Sequence, residues 1–242
     1  MLDRTGESPL PHGLALVWDF PPPGRRGPKP AYTVTQIVDA AIALADEEGV
    51  AGLSLPKIAR RLGLTPNALY RYVSSKDELE LLLVDAGTGP PPSDLPADWR
   101  AGAAGWVRAL IDRYRTRPWL TNLPIRGAPV TPNLLGWLES LLRALTDTGL
   151  PAGDLLSSAI LLDSYARSIA SLANDLAASE APPVQSAEVT GFLYPLLAER
   201  GYPLVAAMLM GGEYADTPVD PDIEFGLTRI LDGIERLIDE RR

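Results

Sequence analysis

An all-α fold is what this sequence predicts, with a small N-terminal three-helix unit and a larger helical C-terminal domain. Two observations carry that expectation. Apolar residues recur at helical spacing in one segment after another, and caps and glycine stops bound those segments. No run alternates apolar and polar residues as a half-buried strand would, and no internal repeat is visible.

Residues 1–29 read as a tail rich in Pro, Gly and Arg. Its PPPGRRGPKP stretch cannot form a helix or a central strand, because proline lacks the N–H and its ring clashes with the preceding turn. Upstream, LALVWDF is a small apolar patch expected to dock on the body through Trp18.

The first helix of the three-helix unit, spanning 30–86 with its linker, is expected from Thr33. Thr33 and Gln36 have capping-box spacing. Val34, Ile37, Val38, Ala41, Leu44 and Ala45 make one apolar stripe, and Gly49 ends it. In the second helix Ser54 is the cap and Pro56 occupies the first turn, where a missing N–H costs nothing. Ile58, Ala59 and Leu62 share one face, and Gly63 stops the helix by taking a left-handed conformation. Thr65 caps the third helix, with Pro66 as its first residue. Leu69 and Val73 point inward; Asn67, Ala68, Tyr70, Arg71 and Tyr72 are left to face outward or sideways. Ser75 and Glu78 have the spacing of a further capping box, opening a linker helix over about 76–86.

Two short helices joined by a tight glycine turn, the second polar and aromatic outside, have the form of a helix-turn-helix. In that motif the second helix enters the DNA major groove. Asn67 suits a base edge, Ala68 a thymine methyl, and Tyr70 and Tyr72 phosphates. Ser54, Lys57 and Lys76 flank the reader at helix starts, where N–H groups and positive charge favour an anion. Thr65, Pro66 and Arg71 complete the expected DNA-facing set. The tail then has two readings: a disordered leader, or a basic arm reaching the minor groove through Arg25, Arg26 and Lys29.

The charge distribution agrees with this reading. The chain of 242 residues has a formal net charge of −9. Residues 24–76 carry eight Lys/Arg against four acids, whereas residues 77–242 carry 13 against 24. Positive charge therefore sits where phosphates would be met, and an acidic body would be repelled by DNA, which orients the encounter.

Residues 87–96, GTGPPPSDLP, read as a linker, and the domain over 97–242 is helical. Helices are expected over 98–115, 133–148, 152–178, 188–199, 202–210 and 222–240, with a Pro-broken segment after 115 and a loop over 180–186. The 152–178 helix is apolar on most of its circumference and must be buried on more than one side. The last helix carries a stripe of Ile223, Leu227, Ile230, Leu231, Ile234, Leu237 and Ile238. These two helices are either monomer core or a two-fold dimer interface.

Residues 24–84 resemble the N-terminal domain of TetR-family transcriptional regulators. The resemblance is carried by the "ALADEEG" helix end, the "IARRLG" second helix and the "LYRYVSSKDEL" reader-to-linker segment. More loosely, DWRAGAAGWVRALIDRYRTRPWL and FGLTRILDGIERLI resemble the ligand-binding domain of the tetracycline-repressor branch. The resemblance implies a homodimer with a four-helix interface, double-stranded operator DNA as partner, and a small-molecule effector in a chamber between head and interface. Trp106, Tyr114, Trp119, Trp137 and Tyr165 are candidate walls of that chamber, and Asn122, Asn133, Asp163 and Arg167 candidate polar contacts. The same residues also read as core, and Asp163 and Arg167 have the i,i+4 spacing of a simple pair. The tetracycline repressor holds a magnesium-chelated drug with chamber histidines. Here the single His, His12, lies in the tail, so no metal and no cofactor is implied, and an apolar or aromatic effector is expected.

Enzyme readings find little support. With no Cys and one tail His, the common nucleophile systems are missing, and there is no phosphate loop or metal-ligand spacing. No apolar run has the ~18 residues of a membrane span. A soluble, cytoplasmic, ligand-responsive DNA-binding repressor is the expectation. The alternatives are an activator, or a non-catalytic ligand-binding or protein-interaction module of the same fold.

Overall fold

The structure, a computed structural model, describes residues 10–20, 31–178, 186–211 and 220–242. Among the described residues there are α-helices and short 3-10 turns but no strand. The chain divides into two compact units, one of residues 1–171 with 230–242 and one of residues 172–229.

The first unit opens with a helix that the sequence reading did not expect, α1 (His12–Val17), inside the presumed tail. It packs on the linker helix α5 (Lys76–Thr88). The three-helix head follows: α2 (Val34–Glu48), α3 (Leu55–Arg61) and α4 (Pro66–Leu69). The capping box at Thr33 and Gln36 is present in both directions. Ile37, Ala41, Ile58, Ala59, Leu69 and Val73 have no exposed surface, so the inward stripes of these helices meet in one small core. Against ~25 cal/mol per Å² of apolar burial, these residues hold the head together far more than any cap does.

The linker helix departs from expectation in one detail. Ser75 accepts the Glu78 N–H at 3.1 Å, but Glu78 does not return the bond to Ser75. Its carboxylate reaches one residue further back, where the Ser74 N–H donates to it at 2.6 Å. Only half of the capping box forms because Glu78 is also engaged by His12.

The body of the first unit is built on α6 (Trp99–Thr116), α7 (Pro132–Leu145) and most of α8 (Ala152–Ala177). A 3-10 turn over Pro118–Asn122 follows α6. Trp106, Leu110, Ile111, Trp137, Leu141, Leu145, Leu162 and Ala166 are buried here. Asp98 caps α6 by accepting the Ala101 N–H at 2.8 Å. Gly102 sits where a Cβ would stand 2.7 Å from the Pro96 carbonyl oxygen, so glycine lets the segment before α6 lie on its first turn.

The second unit holds the end of α8, then α9 (Ala187–Glu199), α10 (Pro203–Gly211) and the start of α11 (Asp220–Arg241). The break between α9 and α10 falls where Gly201 takes φ +83° and Pro203 starts the next helix.

One expectation about the last helix needs correction. Leu231, Ile234 and Ile238 are buried within a single chain, and so are Ile223 and Leu227. These five positions of the stripe are core within one chain and are not themselves exposed dimer surface, while Ile230 and Leu237 are half-buried. Exposed apolar residues do lie on α8, at Leu156, Ile160 and Leu161, and further along at Leu172 and Leu176.

Candidate DNA-binding and effector sites

The helix-turn-helix is assembled by local bonds. Ser54 accepts the Lys57 N–H at 3.4 Å and Thr65 accepts the Ala68 N–H at 3.3 Å, each capping its helix. Gly63 takes φ +67°, a conformation that L side chains rarely adopt, and turns the chain between α3 and α4. Tyr32, which the sequence reading passed over, donates its hydroxyl to the Leu62 carbonyl at 2.7 Å and steadies the same turn.

The reader is shorter than its sequence suggested. Regular α-helix covers only Pro66–Leu69. The chain then tightens, the Arg71 N–H donating to Ala68 O at 3.3 Å and the Tyr72 N–H to Leu69 O at 2.9 Å. Thr65, Pro66, Asn67, Tyr70 and Arg71 are exposed, and Ala68 and Tyr72 are half-buried. The candidate readers therefore share one surface, with buried Leu69 and Val73 behind them.

The basic residues around this surface are not equivalent. Lys57 pairs with Glu48 at 2.6 Å, and Arg61 makes two bonds to Glu47 at 2.7 and 2.6 Å. The Arg61 hydrogen bonds hold the Glu47 carboxyl below the usual carboxylate range. Lys76 is looser, 3.7 Å from Glu80 and largely exposed. Among the described residues, Arg60 and Arg71 carry no ion pair. Arg25, Arg26 and Lys29 lie outside the described residues.

The candidate effector residues separate into distinct environments. Trp106 and Trp137 pack edge to face, ring centroids 5.4 Å apart at 77°. Trp106 donates its indole N–H to the Trp137 carbonyl, and Trp137 donates its own to the Gly89 carbonyl, each at 2.9 Å. Both are buried; Trp137 fastens the body to the end of the linker helix, and Trp106 holds α6 to α7. Trp119 is buried too, and donates to Asp46 of α2 at 2.6 Å, tying the body to the head. Asn133 is taken up by Asp85 of α5, and Asn122 is exposed.

Tyr114, Asp163 and Arg167 come together. The Arg167 guanidinium lies 6.0 Å over the Tyr114 ring and donates to the Thr121 carbonyl at 2.7 Å and to Leu123 O. Burial pushes the Tyr114 hydroxyl up to about 12, with Asp163 adding to the effect. Burial likewise raises the Asp163 carboxyl above its ordinary range, while Arg167 opposes the shift. Asp163 and Arg167 are thus more than an isolated pair, because the arginine is anchored on backbone carbonyls. Tyr165, half-buried, is on the same helix.

The sequence reading missed the residues that join head, linker and body. Asp85 is buried, and its carboxylate accepts the Asn133 backbone N–H at 2.8 Å and the Asn133 side-chain amide at 3.0 Å. It caps α7, a role that Thr131 in the cap position does not fill. Gly87 lies under Trp119, where a Cβ would stand 2.5 Å from the indole ring. Arg117 donates to the Gly87 carbonyl at 2.8 Å, and Arg126 to Asp77 at 2.9 Å and Glu80 at 2.5 Å. An acid and a glycine in an otherwise apolar helix end were the available signal.

Residues 37–81 match the family of bacterial regulatory proteins of the tetR family, and residues 91–238 match the tetracyclin repressor-like C-terminal domain. The chain belongs to the TetR family. A relative from Streptomyces coeruleorubidus, the HTH-type transcriptional repressor DrrR1, is 33% identical, covering 99% of this chain and 91% of its own. The Streptomyces coelicolor TetR family protein ActR, in complex with (S)-DNPA, is 25% identical over 84% of this chain and 97% of its own, with a TM-score of 0.68. Apo ActR superposes over 89% of this chain and 100% of its own with a TM-score of 0.73, at 24% identity. As a TetR protein this chain is a helix-turn-helix DNA-binding transcriptional regulator. No helix among the described residues is long and apolar enough to cross a membrane.

Proposed function

We propose that this chain is a repressor that binds a palindromic operator as a homodimer and is released by a small apolar or aromatic effector. The observation that carries the proposal is the fastening of the linker helix. Asp85, Gly87 and Gly89 at its end are held by Asn133, Arg117, Trp119 and Trp137 of the body. Its start follows directly on the reader. A change of packing in the body is therefore passed to the head through packed and hydrogen-bonded groups. An effector acts by having different affinities for the two arrangements.

Several further features support the parts of this reading. A two-fold dimer presents two readers about one helical turn apart, ~34 Å, or a multiple of it. The exposed leucines and isoleucines of α8 supply an apolar face for such a dimer. Tyr114, Asp163 and Arg167 supply polar anchors beside aromatic surface, the usual make-up of a small-molecule pocket. The relative DrrR1 is a repressor, and ActR binds (S)-DNPA. Asn67 and Ala68 read the groove, with Tyr70, Arg71, Tyr72 and Lys76 on phosphates.

The test is a gel shift with a duplex recovered by in vitro selection, followed by aromatic compounds. The proposal expects a palindromic consensus, one dimer per site, and loss of the shifted band with at least one compound. A non-palindromic consensus, or a monomeric complex, would overturn the dimeric reading.

A further inference from the structure

Helix α1 lies outside both stretches matched to the family, residues 37–81 and 91–238. It is nonetheless firmly placed. The His12 imidazole Nδ1 is bonded to Glu78 of the linker helix. Gly13 sits so close that a Cβ there would stand 3.0 Å from the Glu78 side chain. At the other end Trp18 donates its indole N–H to the Val130 carbonyl at 2.9 Å. This docking sets His12 at the edge of a cleft of about 620 Å³ whose other lining residues are Tyr70, Arg71 and Ser74. Two of these, Tyr70 and Arg71, belong to the candidate reading surface.

We propose that this cleft takes a backbone phosphate of the bound DNA, and that His12 is a phosphate ligand which α1 adds to those of the reader. The inference rests on the DNA-binding reading above. Its chemistry follows from the donors left available. Glu78 bonds two of the lining residues, but it is buried and accepts from His12, from the Ser74 N–H and from the Ser74 hydroxyl. Its charge is therefore spent inside the protein and does not face the opening. Arg71 is exposed with no ion pair among the described residues, and Tyr70 is exposed with its hydroxyl available. The His12 side chain is 56% exposed. Such a site suits an oxyanion, and the phosphates beside the reader are the oxyanions that DNA brings there.

The bond to Glu78 also fixes how His12 acts. With Nδ1–H donated to the carboxylate, the neutral ring offers only a lone pair at Nε2, which repels a phosphate oxygen. The imidazolium carries a second N–H at Nε2 and donates it. Phosphate binding in the cleft is therefore coupled to uptake of one proton by the His12 ring. The charged or titratable groups facing the ring are Glu78 from the linker helix and Tyr70 and Arg71 from the reader.

The experiment measures affinity for the selected duplex at several salt concentrations, at about pH 6 and about pH 8. The wild-type protein should bind more tightly at the lower pH, with a slope of log K against log salt steeper by about 0.9, the value for one more neutralised phosphate. His12→Gln keeps a donor for Glu78 but cannot become charged, and should remove that difference, its salt slope being the same at both pH values. Trp18→Phe loosens the other end of α1 and leaves His12 in place, and should keep the difference. A His12→Gln protein with the wild-type slope at both pH values would overturn the inference. So would a Trp18→Phe protein that behaves like His12→Gln, because the effect would then belong to docking of α1. Inorganic phosphate that binds the DNA-free wild-type protein but not His12→Gln, with the two proteins showing equal duplex affinity and slope at both pH values, would assign the cleft to a free anion and overturn the DNA assignment. Binding at the higher pH with no pH-dependent slope would overturn this inference alone; no binding of any duplex would overturn the DNA-binding reading with it.

Discussion

The buried carboxylate of Asp85 accepts both the backbone N–H and the side-chain amide of Asn133, at 2.8 and 3.0 Å. One residue thus closes the end of the linker helix onto the start of α7. Asp85→Ala should cost about 1–2 kcal/mol, the usual loss for a helix cap, read as a lower melting temperature. Asp85→Asn keeps the acceptor for the backbone N–H and should lose less. Equal stability of wild type and Asp85→Ala would mean that the bonds are balanced by solvation of the free groups.

Gly87 of the linker packs under Trp119 of the body, with no room for a Cβ between them. Gly87→Ala forces the indole to move, at about 1–3 kcal/mol for overpacking a filled site. It should also pull Trp119 away from Asp46, and Trp119 fluorescence should report the change. An unperturbed emission spectrum with unchanged stability would show that the contact gives way freely.

The two apolar faces predict opposite behaviour. Ile234 is 3% exposed, and Ile234→Asp places an unpaired charge in the subunit core at a cost of several kcal/mol. It should unfold the protein. Ile160 is 57% exposed, and Ile160→Asp should leave a folded monomer that fails to bind a palindrome. Sedimentation with circular dichroism separates the two outcomes. A stable Ile160→Asp dimer would place the interface elsewhere.

These faces show where the sequence was legible. Helix starts were, because caps such as Thr33, Ser54 and Thr65 act locally, whereas the early end of the reader at Leu69 was not. The destination of an apolar stripe was not. Ile234 and Ile160 both lie on apolar helix faces, and only packing shows that the first meets its own chain and the second does not. Trp106, Trp119 and Trp137 were legible as important but not as ties, because an indole N–H finds its carbonyl or carboxylate through the fold. α1 was hidden by its surroundings: six residues between proline-rich stretches carry too little periodicity to announce a helix.

Asp163 predicts a pH dependence of stability. Its carboxyl is raised by burial, so the folded state binds the proton more tightly than the unfolded chain. The associated stability is fully present below the ordinary value of 3.8 and is lost as pH rises through the raised value. Asp163→Asn removes that loss. The variant should gain on wild type as pH climbs from about 4, and hold the gain at neutral pH, in denaturation experiments across the range. A wild type that gains on the variant over that range would show that the attraction of Arg167 outweighs burial.

The most direct test of the account is the operator affinity of wild-type and Asp85→Ala protein, each with and without an aromatic compound that releases the wild type. Anisotropy of a labelled duplex gives all four values. The account predicts that the compound weakens wild-type binding between several-fold and about a hundredfold, the range of typical coupling energies. It predicts that Asp85→Ala binds the compound and the operator but loses most of that coupling. The same fold-change in both proteins would contradict the claim that the Asp85–Asn133 tie carries the signal from body to head.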